Sequence, residues 1–203
     1  MPHQAHRLAF GLRLSHRVVT ADNARDPSNN KDLPEQYRNQ LSSDANVTRA
    51  LSNSPQLAFL SGSMARYIRH ESKVDPRLRE LAIIQVGYSA RSVYEYTHHI
   101  KIGLSFGVTE DDLRAIADET AGRPTNLEPL AKSVLRAARE MTDGIAVADK
   151  TFAELRAAFD NAQLVDLLYT IANYNGVVRI LAALQVDLED EYKIYLEKFP
   201  FAA

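Results

Sequence analysis

The sequence predicts a single all-α domain of about seven to nine helices. Three observations carry this. From residue 33 onward apolar residues recur at helical spacing. Helix-start signals repeat along the chain: Ser54-Pro55, Asp75-Pro76, and Thr109 ahead of Glu110, Asp111 and Asp112. No alternating apolar–polar segment is bounded by hairpin turns, and the β-branched residues are scattered.

Residues 1–32 read as an N-terminal arm and polar linker, and 33–203 as the helical domain. The arm holds Arg7, Arg13, Arg17 and three histidines, with no acid before Asp22. It is taken as a basic arm packing on the domain or on a neighbouring subunit, with an organelle transit peptide as the alternative. Pro34 to about Asn53 reads as one or two short helices. Pro55 opens a helix carrying Leu57, Leu60, Met64 and Ile68, and Pro76 opens one carrying Leu78, Leu81 and Val86 that Gly87 is expected to end. The next starts between Ser89 and Ser92 and stops at Gly107. Thr109 caps a helix to about Glu119, Leu127 to Thr142 forms another ended by Gly144, and Asp149 or Thr151 opens one to about Phe159. Asn161 is expected to cap a long helix with apolar positions from Leu164 through Leu184, and Glu189 to Phe199 to form the last.

Composition excludes several classes. The chain has 203 residues, 45% hydrophobic and 25% charged, which suits one globular domain. A formal net charge of −2 is a poor basis for gripping nucleic acid, so no nucleic-acid partner is expected. No cysteine is present, which removes disulfides, thiolate metal sites and thiol redox chemistry. No apolar run approaches the ~20 residues of a membrane span, so no membrane partner and a cytoplasmic setting are expected.

One region gathers acid–base side chains at spacings that suit chemistry. On an α-helix Ser92, Glu95, Tyr96 and His99 fall on one face about 100° wide. Glu95 and His99 stand at i and i+4, where carboxylate and imidazole touch and form a proton-transfer pair. His98 points about 100° away from His99. Each residue also has a plainer reading. Ser92-x-x-Glu95 has the pattern of a capping box, His99 suits a satisfied core histidine, and Glu80 on the preceding helix suits a surface partner for Arg77 or Arg79. A metal site needs a further spaced ligand, so none is expected.

The run Asp75-Pro76-Arg77-Leu78-Arg79-Glu80-Leu81, then Tyr94-Glu95-Tyr96-Thr97-His98-His99, then Gly107-Val108-Thr109-Glu110-Asp111-Asp112, resembles the carboxymuconolactone decarboxylase family. That family's wording is close to R-L-R-E-L, Y-E-W-x-x-H and G-L-S-x-E-E-I. Tyr174-Asn175 through Arg179 resembles the second half of larger members, and the resemblance covers about residues 46–188. The same superfamily includes peroxidases of the AhpD type, whose site is a glutamate, eleven residues, C-x-x-C, three residues and a histidine. Laid on this chain, the glutamate is Glu80, the cysteines fall at Ser92 and Glu95, and the histidine is His99. The motif's tryptophan is Tyr96 here, and the chain contains no tryptophan.

The resemblance implies an AhpD-like helical bundle that assembles as a homotrimer or hexamer and uses no metal or organic cofactor. It implies a lyase on a small oxygenated, carboxylated lactone or enol ring compound in aromatic catabolism. His99 is then the main proton donor and acceptor, Glu95 tunes it, and Glu80 sits across the cleft. Tyr88, Ser92 and Tyr96 are candidates to line the pocket. Arg49 and Arg179 are candidate carboxylate clamps by residue type alone. A dehydratase, cyclase or isomerase on the same scaffold, or a non-catalytic small-ligand binder, would read the same way; a thiol peroxidase would not.

Overall fold

A computed structural model describes residues 45–202. The basic arm, the linker and any helix within 34–44 lie outside these residues. Among the described residues there are nine α-helices and no strand. They are α1 (Asn46–Leu51), α2 (Pro55–Arg66), α3 (Pro76–Ser89), α4 (Val93–Ser105), α5 (Glu110–Thr120), α6 (Pro129–Asp143), α7 (Asp149–Ala158), α8 (Asn161–Leu184) and α9 (Lys193–Lys198).

The centre is α3, in which every residue from Leu78 to Tyr88 is buried. It packs against α4, α6 and α8, so it has no solvent face and no amphipathic stripe. Two apolar clusters flank it. Ile83 and Val86 pack with Val134, Leu167 and Ile171 on one side; Leu81 and Ile84 pack with Ile100, Ile116 and Leu135 on the other.

Caps and turns follow the sequence signals with four differences. Ser54 precedes α2 but makes no side-chain cap bond, so Pro55 at the first position is what marks that start. Thr109 and Asp112 form a reciprocal capping box, as do Asp160 and Gln163. The cap of α8 is therefore Asp160, not Asn161, because only Asp160 has its carboxylate placed to accept from the Gln163 amide. The helix α3 continues past Gly87 to Ser89, and Arg91 takes the left-handed conformation (φ 53°) that ends it. There the Ser92 amide bonds Gly87 O and the Arg91 amide bonds Tyr88 O, which is a Schellman closure with arginine where glycine is usual. Gly87 instead serves helix packing. A Cβ on it would lie 2.8 Å from the backbone nitrogen of Tyr96, so α3 and α4 approach there more closely than any side chain allows. Finally, the tail is split into a 3₁₀ turn (Asp190–Tyr192) and α9.

Two features were not anticipated. The helix α2 runs directly into a π-helical turn, Tyr67–Glu71, closed by the Ser72 amide on Tyr67 O at 2.9 Å. And α8 is, by length and composition, apolar enough to cross a membrane, against the sequence reading. In the fold it buries Leu164, Leu167, Ile171, Tyr174 and Val178 in the core, while Val165, Tyr169 and Ile180 on the same helix stay exposed.

Candidate active site

The short α3–α4 connection turns the chain so that Glu80 on one helix meets His99 on the next. Glu80 is 1% and His99 5% exposed, and Glu80 Oε2 lies 2.7 Å from His99 Nδ1. On the other side of the ring, Nε2 lies 3.0 Å from Glu95 Oε1. An imidazole with a carboxylate oxygen at each nitrogen satisfies both only as a double donor, the imidazolium. Behind Glu80, Arg79 donates through Nε to Glu80 Oε1 at 3.1 Å, and its guanidinium sits 4.8 Å over the Phe106 ring. Two cations and two carboxylates thus form a charge-balanced buried row in the order Arg79, Glu80, His99, Glu95.

The electrostatics agree. Burial by itself would lower the His99 pKa, but the charges of Glu80 and Glu95 and their hydrogen bonds outweigh it and raise it to about 9. For Glu80, burial pushes upward, and the His99 charge, its hydrogen bond and Arg79 together hold the carboxyl below its usual range. Tyr174 stands edge-on to His99 with ring centroids 4.8 Å apart, and its hydroxyl is pushed up by burial and then by Glu95 and Glu80.

The row ends at a cavity of about 840 Å³. Glu95, His99 and Tyr174 form one wall, α1 and Phe59 another, and Arg66, Arg69 and His70 come from the end of α2 and the π turn. Both His99 nitrogens are taken by carboxylates, so Glu95 is the member with a spare atom. Its Oε2 has no protein hydrogen bond among the described residues. The helix start is divided accordingly. Ser92 Oγ accepts from the Glu95 amide at 3.5 Å, while the Glu95 carboxylate leaves the cap and reaches His99.

Glu80, Glu95 and His99 are thereby brought together, but Glu80 does not sit across the cleft. It lies behind His99, away from the cavity lining. Ser92, Tyr88 and Tyr96 do not line the cavity either. Ser92 is the α4 cap. Tyr88 and Tyr96 belong to the opposite apolar cluster, packed on each other at 5.6 Å and on Phe201. The geometric reason for Tyr96 is that α4 is buried on both sides, so a position near the Glu95 face still turns into the core. Arg49 is half-buried outside the lining, with its Nε buried and unpartnered. Arg179 bends back onto Asn175 of its own helix. Two arginines line the cavity: Arg66 is exposed and stands 3.6 Å from Glu71, whereas Arg69 is half-buried and makes no ion pair among the described residues. Sequence reasoning missed it because nothing in Tyr67–Glu71 signals a π turn. It also missed Tyr174, a polar aromatic on the buried face of a long apolar helix, and Tyr94, whose hydroxyl bonds Glu189 at 3.0 Å. No cluster of potential metal ligands occurs among the described residues.

A buried carboxylate–imidazole–carboxylate row opening onto a cavity in a helical bundle defines a candidate acid–base site. Residues 56–140 match the carboxymuconolactone decarboxylase family, in a chain that has no cysteine. The fold is AhpD-like. It is similar to a cysteine-to-alanine variant of the debrominase Bmp8 in complex with 2,3,4-tribromopyrrole, at TM-score 0.73 and 16% identity over 87% of this chain and 95% of that one. It is also similar to an AhpD core, an uncharacterized peroxidase-related protein from Ralstonia eutropha, at TM-score 0.66 and 16% identity over 88% and 98%. At these identities the likeness is one of fold. No curated protein matches the sequence.

Proposed function

We propose that the protein is a cofactor-independent acid–base lyase of the decarboxylase type, acting on a small carboxylated lactone or enol ring compound. The observation that carries this is His99 held between Glu80 and Glu95 at the wall of the cavity, in a chain with no thiol. A Glu95 used only as a helix cap would have favoured a plain binding protein; its carboxylate instead bonds His99.

In this reading Arg69 holds a substrate carboxylate at the cavity wall. The bond from the ring to a second carboxylate breaks, CO2 leaves, and the electron pair passes into the conjugated carbonyl. His99 Nε2 passes its proton to the Glu95 carboxylate, and Glu95, now the carboxylic acid, delivers it to the resulting carbanionic carbon. The imidazole that remains keeps Nδ1–H on Glu80 and regains a proton from water through the cavity. The sequence made His99 the donor; the geometry favours Glu95 as the group that meets substrate, with His99 as its reservoir. Dehydration, cyclisation or isomerisation would use the same groups.

Assembly as a homotrimer or hexamer in the cytoplasm belongs to the same reading, supported by exposed Val165 and Tyr169 on α8 and Leu57 and Leu60 on α2. The test is to mix the purified protein with carboxymuconolactone and follow loss of the lactone's ultraviolet absorption and release of CO2. Glu95→Gln and His99→Ala are expected to stop both. Unchanged turnover by His99→Ala would remove the row from the mechanism.

A further inference from the structure

His98, which lines the same cavity, forms a second carboxylate–imidazole pair that has no part in the row just described. His98 Nε2 lies 2.8 Å from Glu189 Oε2, from the segment ahead of the 3₁₀ turn. The imidazole is clamped between two parallel rings, Tyr94 at 4.1 Å and Tyr192 at 3.6 Å. Glu189 is itself fixed. Its Oε1 accepts from the Asn46 amide at 2.6 Å and from the Tyr94 hydroxyl at 3.0 Å. Burial pushes its carboxyl upward, but the His98 hydrogen bond and the backbone amide bonds of Asn46 and Glu189 bring it down to about 2, so it is an ionised acceptor.

This arrangement fixes which nitrogen carries the proton. A carboxylate without a proton accepts Nε2–H and leaves Nδ1 with its lone pair when the ring is neutral. Nδ1 has no protein partner among the described residues. Nor is it one of the sealed unsatisfied atoms among the described residues, which are Arg49 Nε, an Nη of Arg79 and Gln185 Oε1. The open nitrogen of His98 therefore faces accessible space on a residue that lines the cavity.

We propose that His98, oriented by Glu189, is a second acid–base group of this cavity, serving a different ligand atom from the one Glu95 serves. It rests on the reading of the cavity as an acid–base site and adds a reaction class to it: proton transfer at two positions of one ligand. His98 Nδ1 takes a proton from a carbon beside a carbonyl, the C–H electron pair becomes the enolate, and Glu95 returns a proton at the far end of the conjugated system. One proton enters the protein and one leaves it, His98 ends as imidazolium, and water exchange through the cavity resets both groups. No electron is transferred. The net change is the migration of a double bond. Glu189 is a positioning residue, acting through His98.

The test separates this from a latch that merely ties α1 to α4. Diethylpyrocarbonate, applied to the folded protein and mapped by peptide mass, is expected to modify His98 and to spare His99, whose nitrogens are both occupied. Nitrogen-15 NMR of histidine-labelled protein is expected to find His98 protonated at Nε2 and bare at Nδ1 when neutral, and Glu189→Gln to shift that tautomer balance. His98→Gln keeps an amide N–H for Glu189 and so keeps the latch. In D2O it is expected to slow deuterium exchange at the carbon beside a carbonyl of carboxymuconolactone by about tenfold or more, with KM changed less than about twofold. Unchanged deuterium exchange in His98→Gln, protection of His98 equal to that of His99, or a proton on Nδ1 of the neutral ring would each overturn the proposal. If the unaltered protein does not act on carboxymuconolactone, the functional reading fails, and the modification and NMR results still decide the role of His98.

Discussion

The Glu80 carboxylate and the His99 imidazole, 19 residues apart in sequence, meet at 2.7 Å inside the bundle, and that bond sets the charge of the site. It ties the chemistry to the packing of α3 on α4, so stability and activity are coupled through the same atoms.

The first consequence is a pH dependence of stability. The His99 pKa rises from 6.5 to about 9 on folding. A folded-state value above the unfolded one means that the folded protein holds this proton more tightly. The stabilisation is complete below about pH 6.5 and is lost as pH rises through about 9, up to about 3 kcal/mol. The urea midpoint of the unaltered protein is expected to fall between about pH 7 and about pH 9.5. The same titration of His99→Gln should be flatter in that window. An unaltered protein with a level midpoint there would refute a charged His99. Glu80 acts in the opposite window, its contribution being present above its ordinary 4.5 and lost on acidification.

Glu80→Gln and Glu95→Gln are expected to separate. The first leaves Arg79, 1% exposed, without its carboxylate and should cost about 3–5 kcal/mol, read as a lowered melting temperature. Glu95→Gln keeps an oxygen for His99 and lies at the cavity, so it should fold with a smaller loss yet fail in turnover. Equal melting temperatures for the two variants would contradict the order of the row.

Gly87→Ala tests the close approach that brings α3 and α4 together. Its Cβ would meet Tyr96 backbone atoms at 2.8 and 2.9 Å, which only movement of the helices relieves. A loss of about 1–3 kcal/mol is expected in chemical denaturation, with turnover reduced because Glu80 and His99 shift together. Gly62→Ala, where a Cβ meets nothing within 4 Å, is the control.

Arg69→Gln is expected to raise KM for a carboxylated substrate by about tenfold with little change in kcat, since the residue binds and takes no proton. Arg179→Gln, bonded to its own helix, should leave both constants near those of the unaltered protein. The reverse outcome would return the clamp to α8.

Helix positions were legible because start signals act locally: Ser54-Pro55, Asp75-Pro76 and Thr109 each need only their own first turn. The spacing of Glu95 and His99 was legible for the same reason, since i and i+4 contact follows from helix geometry. Tyr88, Tyr96 and Ser92 were misplaced because a helix buried all round does not reveal in its sequence which face meets a cavity and which meets core. Arg69 and Glu189 were invisible because one depends on a π turn and the other on a contact 91 residues from His98.

The sequence by itself determined the helical order, the absence of a thiol and the i, i+4 pairing of Glu95 with His99, all properties of local geometry or composition. Only the tertiary structure decided that Glu80 stands behind His99, that Glu95 holds the cavity end of the row and that His98 turns to Glu189. Those relations depend on how closely α3 and α4 approach at Gly87 and on where the chain after α8 returns, distances that no single helix encodes.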